Sequence, residues 1–582
     1  MQAVFHMHLQ VQQRGTGDLG PVAPADAAAR QQLRVVLFSP ETDFRFSSEN
    51  VSLAVPEQGN SNQIGYPVRA ERAGRRRLRA CIYHGNVLLQ SAVLEADVVD
   101  AGQARVAASD ISRVTDYVAS SDLGRLADLA QPTLSIFTNR AADGTHWIGL
   151  FAEGGHVPAS LQKGLMHTFG AHELASMAGR LRSLLTEIQG RSRYNYTESG
   201  SLPDGARVDR LERDLVKLAQ GGRDLYNALF FSRMGANERA EALLDFDELL
   251  RDPGVIAVAR CRAEAATIPW AALYSLHLDT NSSPRLCNVF KRQVFTGRAL
   301  LDQPAACRAQ DACPLRSDGS GTVCPFGFWG FLHQVEQPLQ QVTPTPVDEV
   351  PRELTGEAYR QSSTIERAPG DSLELAIAYY PRLPGVGQHL NDLQALGQLH
   401  GAAVQTEDER SEIVDTMLRQ GGFHLGYFYC HGEAQDNVVR LKLGPADQPG
   451  TIGAADLDPR WRLNWRGKPH PLVVLNACES VAMVPERVGE LMLQLRFLGS
   501  SGVVGTEIEV RTELASEVGE RLVGGLLNGG SVGEAFADLR LGLLAQGNPL
   551  GLAYTFHALA DLHIHTPGDC AWCRTHVRRE VP

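Results

Sequence analysis

The fold is decided by the stretch Phe423-His424-Leu425-Gly426-Tyr427-Phe428-Tyr429-Cys430 together with Pro471-Leu472-Val473-Val474-Leu475. The first run ends at His431-Gly432-Glu433, and the second ends at Asn476-Ala477-Cys478-Glu479-Ser480. Short aromatic and β-branched runs without polar alternation are typical of strands buried on both faces of a parallel sheet. Catalytic residues of such sheets collect at the carboxyl ends of the strands. We therefore expect His431 and Cys478 to lie side by side at one edge of a sheet.

A histidine beside a cysteine suits nucleophilic catalysis by a thiolate. Free cysteine titrates at about 8.5, so its thiol needs a neighbouring base or a positive setting to react at neutral pH. His431 can act as that base, and the backbone amides of Gly432 and Cys478 can hold an oxyanion. Gly432 has no side chain to obstruct a substrate carbonyl. These residues predict acyl chemistry at Cys478 that requires no cofactor.

Several motifs in the same order resemble the CHAT domain, a bacterial caspase-like and separase-like branch of the clan CD cysteine peptidases. The resemblance is densest from Asp371 to Ile564, and Cys478 lies 47 positions after His431. In caspases the histidine lies roughly 50 residues upstream of the cysteine. The matching motifs are Ile268-Pro269-Trp270-Ala271-Ala272-Leu273, Tyr427-Phe428-Tyr429-Cys430-His431-Gly432, Leu475-Asn476-Ala477-Cys478-Glu479-Ser480, Gly502-Val503-Val504-Gly505-Thr506 and Asn548-Pro549-Leu550-Gly551-Leu552-Ala553-Tyr554. The first of them resembles a Pro-Trp-Glu-Leu box, with Ala271 in place of the usual acid.

The resemblance implies an α/β fold: a caspase-like three-layer α/β/α sandwich with a mainly parallel sheet, preceded by an N-terminal β-sandwich. It implies a cysteine endopeptidase with His431 and Cys478 as its catalytic dyad and the amides of Gly432 and Cys478 as its oxyanion hole. A protein substrate, gating by a regulatory protein, a ligand or cleavage, and a role in bacterial defence, including antiviral defence, or cell death are also implied. The alternative is a catalytically silent CHAT scaffold that binds other proteins.

Substrate preference is harder to predict from the residues. Relatives that cleave after Arg or Lys carry an acid two residues before the cysteine, where this chain has Asn476. Asp436, Glu507 and Glu509 lie in segments that can still reach the substrate pocket. We expect Arg to be favoured over Leu or Met at P1, the residue before the cleaved bond.

The composition is that of an ordinary globular protein. The 582 residues are 43% hydrophobic and 21% charged, and the net charge of −12 argues against binding to nucleic acid or to anionic membranes. No apolar run reaches the roughly 18 residues of a membrane span, and Met1 to His8 lack the features of a signal peptide. Ten cysteines in a chain of this length do not form a dense disulfide framework. We expect a cytoplasmic protein.

Changes in composition and hydrophobic pattern divide the chain into six regions. Short, partly alternating runs at the start favour a β-sandwich. Helices alternate with strands in the last third, which favours βαβ units. The regions are a β-sandwich at 1–110, a small α+β region at 111–200, a first, non-catalytic caspase-like half with a cysteine-bearing insertion at 206–340, a connecting segment at 341–372, a catalytic half at 373–565 and a Cys/His tail at 566–582. The connecting segment is a candidate regulatory site, with a tolerated surface loop as the alternative.

The insertion contains four cysteines that can be read in two ways. Cys287, Cys307, Cys313 and Cys324 fall within 38 residues and can close a tetrahedral zinc site. They lack the closely paired spacing of a zinc ribbon. The alternative is independent reduced cysteines in a packed loop.

The tail offers a second candidate metal site. His563, His565, Cys570, Cys573 and His576 are spaced so that two cysteines and two histidines can bind a structural zinc ion. A Cys-x-x-Cys pair can also be redox-active, and a frayed terminus is the simplest alternative.

Overall fold

The computed structural model divides the chain into two compact units. The first comprises Met1–Gly170, Ala259–Arg262 and Val342–Arg360, and the second comprises Ala171–Val258, Ala263–Gln341 and Gln361–Pro582. The residues that the structure describes are 3–7, 31–40, 44–46, 50–55, 64–99, 112–119, 130–141, 143–154, 157, 159–191, 204–261, 267–279, 283–292, 294, 321–339, 345–346, 363–435, 438–445, 450–477, 485–567 and 570–576.

Antiparallel strands dominate the first unit. Its six-stranded sheet has the order Thr345–Pro346, Ser112–Val118, Val87–Val98, Gly74–His84, Gln31–Phe38 and Asn50–Val55. A three-stranded sheet has the order Ala3–Met7, Ile64–Ala70 and Phe44–Phe46. The strands Leu134–Arg140, His146–Phe151 and Leu165–Phe169 pair in sequence, with the helix Ala159–Lys163 before the last of them.

One hydrophobic cluster joins the two N-terminal sheets. Phe44 and Val68 of the three-stranded sheet are buried with Leu33, Val35 and Leu53 of the six-stranded sheet. Apolar side chains therefore alternate towards a shared core, as strands with one buried face require. The β-rich character of this region agrees with the expectation, and its description as a sandwich stays a prediction.

The main sheet of the second unit is mainly parallel. Its order is Ala402–Glu407, Leu373–Tyr379, Leu425–Gln435, Leu472–Ala477, Gly502–Thr506 and Tyr554–His557. The first five strands are parallel and the sixth is antiparallel. The mixed α/β class is confirmed, whereas the three-layer arrangement stays a prediction.

Helices and short strands complete the second unit. The longer helices are Ala171–Arg191, Asp204–Phe230, Ala236–Leu249, Val386–Leu399, Pro485–Leu498, Thr512–Leu527 and Val532–Ala545. The short helices are Asn288–Lys291, Trp329–Leu332, Arg410–Glu412, Arg462–Trp465 and Ala571–His576. The remaining strands are Arg285–Leu286, Thr322–Val323, Gln334–Glu336, Thr364–Glu366, Val438–Leu443, Gly450–Gly453 and His563–His565. The strand Val255–Arg260 has its first four residues in this unit and its last two in the first unit. Among the described residues, no helix has the length and apolar character needed to cross a bilayer.

The segment around Trp270 is a packed structural element. Trp270 begins a 3₁₀ turn and stacks on Trp329, with ring centroids 6.1 Å apart. Ala271 is 2% exposed, and a Cβ atom added to Gly330 would lie 2.8 Å from its side chain. This close contact with Gly330 explains why a small residue occupies position 271, since a glutamate there would have to displace its neighbours.

Candidate active site

The strand that carries His431 lies directly beside the strand that precedes Cys478. We call Leu425–Gln435 the His431 strand and Leu472–Ala477 the Asn476 strand. They are parallel, and Cys430 is the register partner of Ala477. Their central residues, including Tyr427 and Val473, are fully buried. Two runs without polar alternation thus form adjacent buried strands, as the sequence predicts.

The His431 strand continues past the parallel sheet instead of ending at His431. From His431 to Gln435 it pairs with the antiparallel strand Val438–Leu443, in which Lys442 is the partner of His431. His431 therefore lies at the point where the strand leaves one partner and takes another. Cys478 follows the last residue of the Asn476 strand, and Asp436 follows Gln435; both lie outside the described residues.

His431 is half-buried beside an aromatic ring and a charged pair. Its ring lies edge-on to Tyr380 at a centroid distance of 5.3 Å. Lys442 Nζ lies 5.7 Å from the centre of the Tyr380 ring and donates a 2.8 Å hydrogen bond to Glu433. This bond to Glu433 raises the pKa of Lys442, so the lysine stays cationic at neutral pH.

A cleft of 740 Å³ opens at His431. It is lined by Thr186, Gln189, Gly190, Tyr380, Arg382, His431, Lys442, Glu509 and Arg511. This volume is within the range of small-molecule and side-chain pockets. Of the three predicted pocket residues that the structure describes, Asn476, Glu507 and Glu509, the last lines this cleft.

Glu507 has a different place from Glu509. It is 6% exposed and accepts hydrogen bonds of 3.0 and 2.9 Å from Arg182, and a third of 2.9 Å from Thr555. Gln189, on the same helix as Arg182, donates a 2.7 Å bond to the backbone oxygen of Glu509. Glu507 therefore anchors the helix Ala171–Arg191, which forms one wall of the cleft, and its carboxylate is bound internally by Arg182 and Thr555.

Asn476 is also occupied by internal contacts. It is fully buried, and its amide group donates to Tyr427 Oη at 2.7 Å and to the backbone oxygen of Ala515 at 2.6 Å. Tyr554 Oη donates to Asn476 Oδ1 at 2.9 Å. An asparagine fits because its amide group donates two hydrogen bonds, to a hydroxyl and a carbonyl oxygen, and its side-chain oxygen accepts one from a hydroxyl. The geometry assigns Asn476 to the core, and the expectation that it lines the substrate pocket is not supported.

The hydrogen bonds continue from Tyr427 to the surface. Tyr427 Oη lies 2.9 Å from His389 Nε2, and His389 Nδ1 lies 2.9 Å from Glu520 Oε1. The direction of these two bonds depends on the tautomer of His389: with Nε2 as the acceptor, the Tyr427 hydroxyl donates to it and Nδ1–H donates to Glu520. This series of hydrogen bonds cannot be predicted from the sequence pattern, because His389 and Glu520 lie on different helices that only the fold brings to Tyr427.

The cysteine next to His431 is chemically different from a nucleophile. Cys430 is fully buried, and burial raises the pKa of its thiol far above the ordinary value. A thiol that stays protonated neither attacks acyl groups nor reacts readily with alkylating agents. Cys430 is a small apolar core residue in this sheet.

The two candidate metal sites differ in how the fold arranges them. Cys287 and Cys324 are buried and follow the paired residues Leu286 and Val323, while Cys307 and Cys313 lie outside the described residues. In the tail, the ligand atoms of four residues gather within 4.8 Å of one another: His563, His565, Cys570 and Cys573. The side chain of His576 lies outside the described residues.

Comparisons with known proteins identify the family of the chain. Residues 261–560 match the CHAT domain model. The chain is 31% identical over 592 aligned positions to a "probable protease" of Vitiosangium sp. (strain GDMCC 1.1324), covering 93% of this chain and 71% of that protein. The protein therefore belongs to the CHAT domain family, which is caspase-like, as the sequence resemblance predicts.

Solved structures show a more distant likeness. A chain of the Saccharomyces cerevisiae separase–securin complex, solved at 2.6 Å, is 12% identical, with a TM-score of 0.33. The match covers 74% of this chain and 30% of that chain. A second structure of the same complex, at 3.0 Å, is 11% identical with the same TM-score. The present chain thus spans about a third of the length of these structural relatives.

Proposed function

We propose that this protein is a cysteine endopeptidase with His431 and Cys478 as its catalytic dyad. The observation that carries the proposal is the pairing of Cys430 with Ala477, the residues that directly precede the two members of the dyad. The cleft that opens at His431 supplies room for a substrate. The name of the Vitiosangium relative also supports a peptidase.

The proposed reaction uses His431 as base and then as acid. His431 takes the proton of the Cys478 thiol, and the thiolate attacks the carbonyl carbon of the scissile peptide bond. The amides of Gly432 and Cys478 stabilise the oxyanion. The imidazolium gives its proton to the leaving amine, which releases one product and leaves a thioester on Cys478. Water, deprotonated by His431, then attacks the thioester and releases the second product.

The cleft supports a basic P1 residue and acidic residues near it. Among the described residues that line the cleft, Glu509 is the acid that a P1 arginine can meet, which is why arginine stays the proposed preference over leucine or methionine. Arg382 and Arg511 line the same cleft, so acidic substrate side chains on either side of P1 would be favoured by charge. Lys442 contributes less because Glu433 already binds it.

We further propose that the protein acts in the cytoplasm, in a bacterial defence or cell-death pathway, on a protein partner. This part rests on the family membership and not on the site geometry. Gating follows from the same reasoning, since an unrestrained endopeptidase would damage its own cell. The connecting segment at 341–372 is the proposed place where cleavage or a regulatory protein acts.

A comparison of new protein N-termini tests the peptidase. Wild type and Cys478→Ala are added separately to host lysate, and an electrophilic peptide probe that alkylates active thiolates is added in parallel. New termini and labelled Cys478, seen with wild type alone, are the expected result. Identical termini in both samples, together with a wild-type Cys478 that the probe does not label even after cleavage within the connecting segment at 341–372, would favour the CHAT scaffold.

A further inference from the structure

The C-terminal tail folds into a compact group of four potential metal ligands. His563 Nε2, His565 Nδ1, Cys570 Sγ and Cys573 Sγ lie within 4.8 Å of one another. Two imidazoles and two thiols are the donor set of many structural zinc sites. From these residues we propose that the tail binds one structural Zn²⁺ ion through His563, His565, Cys570 and Cys573.

The distances between the ligand atoms fit a tetrahedral ion. With Zn–S near 2.3 Å and Zn–N near 2.05 Å, tetrahedral geometry places a sulfur and a nitrogen ligand roughly 3.6 Å apart. Cys573 Sγ lies 3.6 Å from His563 Nε2 and 3.3 Å from His565 Nδ1. These two distances match a tetrahedral ion, and the remaining ligand pairs, which lie within 4.8 Å, need to close by no more than about 1 Å.

The local backbone presents all four ligands to one point. His563 and His565 are two apart on the strand His563–His565, so their side chains project to the same face. The helix Ala571–His576 starts directly after Cys570, and its first turn brings Cys573 back beside that residue. The Cys573 backbone N–H donates a 3.1 Å hydrogen bond to Cys570 Sγ. Such an N–H group stabilises the thiolate that zinc requires.

The neighbours of His563 fix the ring for coordination. Its Nδ1 lies 2.8 Å from the backbone oxygen of Asp561 and donates to it, which leaves the lone pair on Nε2 for a metal. Zinc-binding histidines commonly use their second nitrogen in this way. Trp572 stacks on the same ring at a centroid distance of 4.2 Å. The ring is thus held in place before any ion arrives.

Four protein ligands make a closed site, so the ion would hold structure and not perform chemistry. It would tie the helix Ala571–His576 to the strand His563–His565. That strand pairs in parallel with Thr364–Glu366. Along the chain, Thr364–Glu366 comes just before Leu373–Tyr379, a strand of the main sheet. Zinc would therefore stabilise the contact between the tail and the chain entering the catalytic half.

Zinc content of the purified full-length protein tests the proposal without any assay of peptidase activity. We expect about one zinc ion per chain in wild type, as for one closed site. His565→Ala and Cys573→Ser should each lose that ion. Cys287→Ser is the matched control because it removes a buried thiol of the other candidate cluster; its zinc content should equal that of wild type.

Two further measurements use wild type alone and do not depend on the folding of a variant. Cobalt added to the zinc-depleted protein should give the absorption of a tetrahedral thiolate site, and a chelator should lower the melting temperature and speed proteolysis at the tail. Wild type without zinc after purification in zinc-supplemented medium would overturn the proposal. So would zinc lost in Cys287→Ser and retained in Cys573→Ser, or a mass two hydrogens lower that maps to a Cys570–Cys573 disulfide.

Discussion

Cys430 and Ala477 are register partners on neighbouring parallel strands of the main sheet. Paired strands lie about 4.8 Å apart, so the backbones that lead into His431 and Cys478 are held at that spacing. Because both strands are buried, the packing of the sheet sets this separation. The two residues that directly precede the proposed dyad, Cys430 and Ala477, are thus positioned by the core of the sheet.

Removing the proposed base should leave the fold intact and the reaction slow. For His431→Ala we expect kcat/KM for a peptide substrate to fall by about 10²- to 10⁴-fold, the usual contribution of general acid–base catalysis. His470→Ala is a suitable control because His470 is an exposed histidine bonded to the backbone of Gly499. Equal rates for His431→Ala and wild type would contradict the assigned role.

Cys430 and Cys478 should differ in the reactivity of their thiols. Burial raises the pKa of the Cys430 thiol, so Cys430 stays protonated and unlabelled when native protein is treated with iodoacetamide between pH 7 and pH 9. Cys478, activated by His431, should be alkylated first, with loss of activity. Peptide mass spectrometry identifies the modified residue. Cys430→Ala should keep its activity, and labelling of Cys430 at the rate of Cys478 would contradict its buried state.

Replacing Asn476 with aspartate should damage the core and leave substrate preference unchanged. Asn476→Asp removes both amide donors and places a carboxylate against the Ala515 carbonyl oxygen. The loss of such buried bonds costs about 1–3 kcal/mol or more. Thermal unfolding and a P1 peptide panel measure the two effects. A new preference for Arg or Lys at P1 with unchanged stability would place Asn476 in the substrate pocket instead.

Glu509 is expected to control the P1 preference. Glu509→Gln keeps the size of the side chain and removes its charge, so cleavage after arginine should weaken by about 10-fold or more relative to cleavage after leucine, the effect of losing one charged hydrogen-bond partner. Glu433→Gln serves as the control because Glu433 binds Lys442 beside the cleft. An unchanged ratio in Glu509→Gln would exclude Glu509 as the P1 determinant.

Removing one partner of a buried ion pair should strongly destabilise the first unit. Arg79 and Asp116 are 0% exposed and joined by bonds of 2.6 and 3.0 Å. Asp116→Asn leaves the guanidinium without its charge partner and should cost about 3–5 kcal/mol. Amide hydrogen exchange in the strand Gly74–His84 measures this loss.

The exposed pair between Arg75, on the same strand, and Glu95, on the neighbouring strand Val87–Val98, provides the control for that measurement. Glu95→Gln should leave hydrogen exchange almost unchanged, because solvent already screens this pair. The double variant Arg79→Met with Asp116→Leu should recover part of the stability, since two apolar groups leave no buried charge. Equal losses from Asp116→Asn and Glu95→Gln would contradict the account.

The sequence alone predicts the His431 strand and the Asn476 strand and their order with the helices, and it shows that His431 and Cys478 follow the paired residues Cys430 and Ala477. Those features depend on local properties of the sequence: unbroken apolar runs, the residues that end them, and the spacing between motifs. The same reasoning gave the cysteines and histidines of the tail as candidate ligands, because donor types can be read directly.

The contacts of the polar residues near the proposed dyad become clear only from the tertiary structure. Glu507 and Glu509 are two residues apart, yet one is bound to Arg182 in the core and the other lines the cleft. Asn476 is held by Tyr427, from the adjacent strand, and by Tyr554, far along the chain. Such partners are set by packing between distant segments, and the free energy of burying a polar group depends on partners that a linear pattern does not contain.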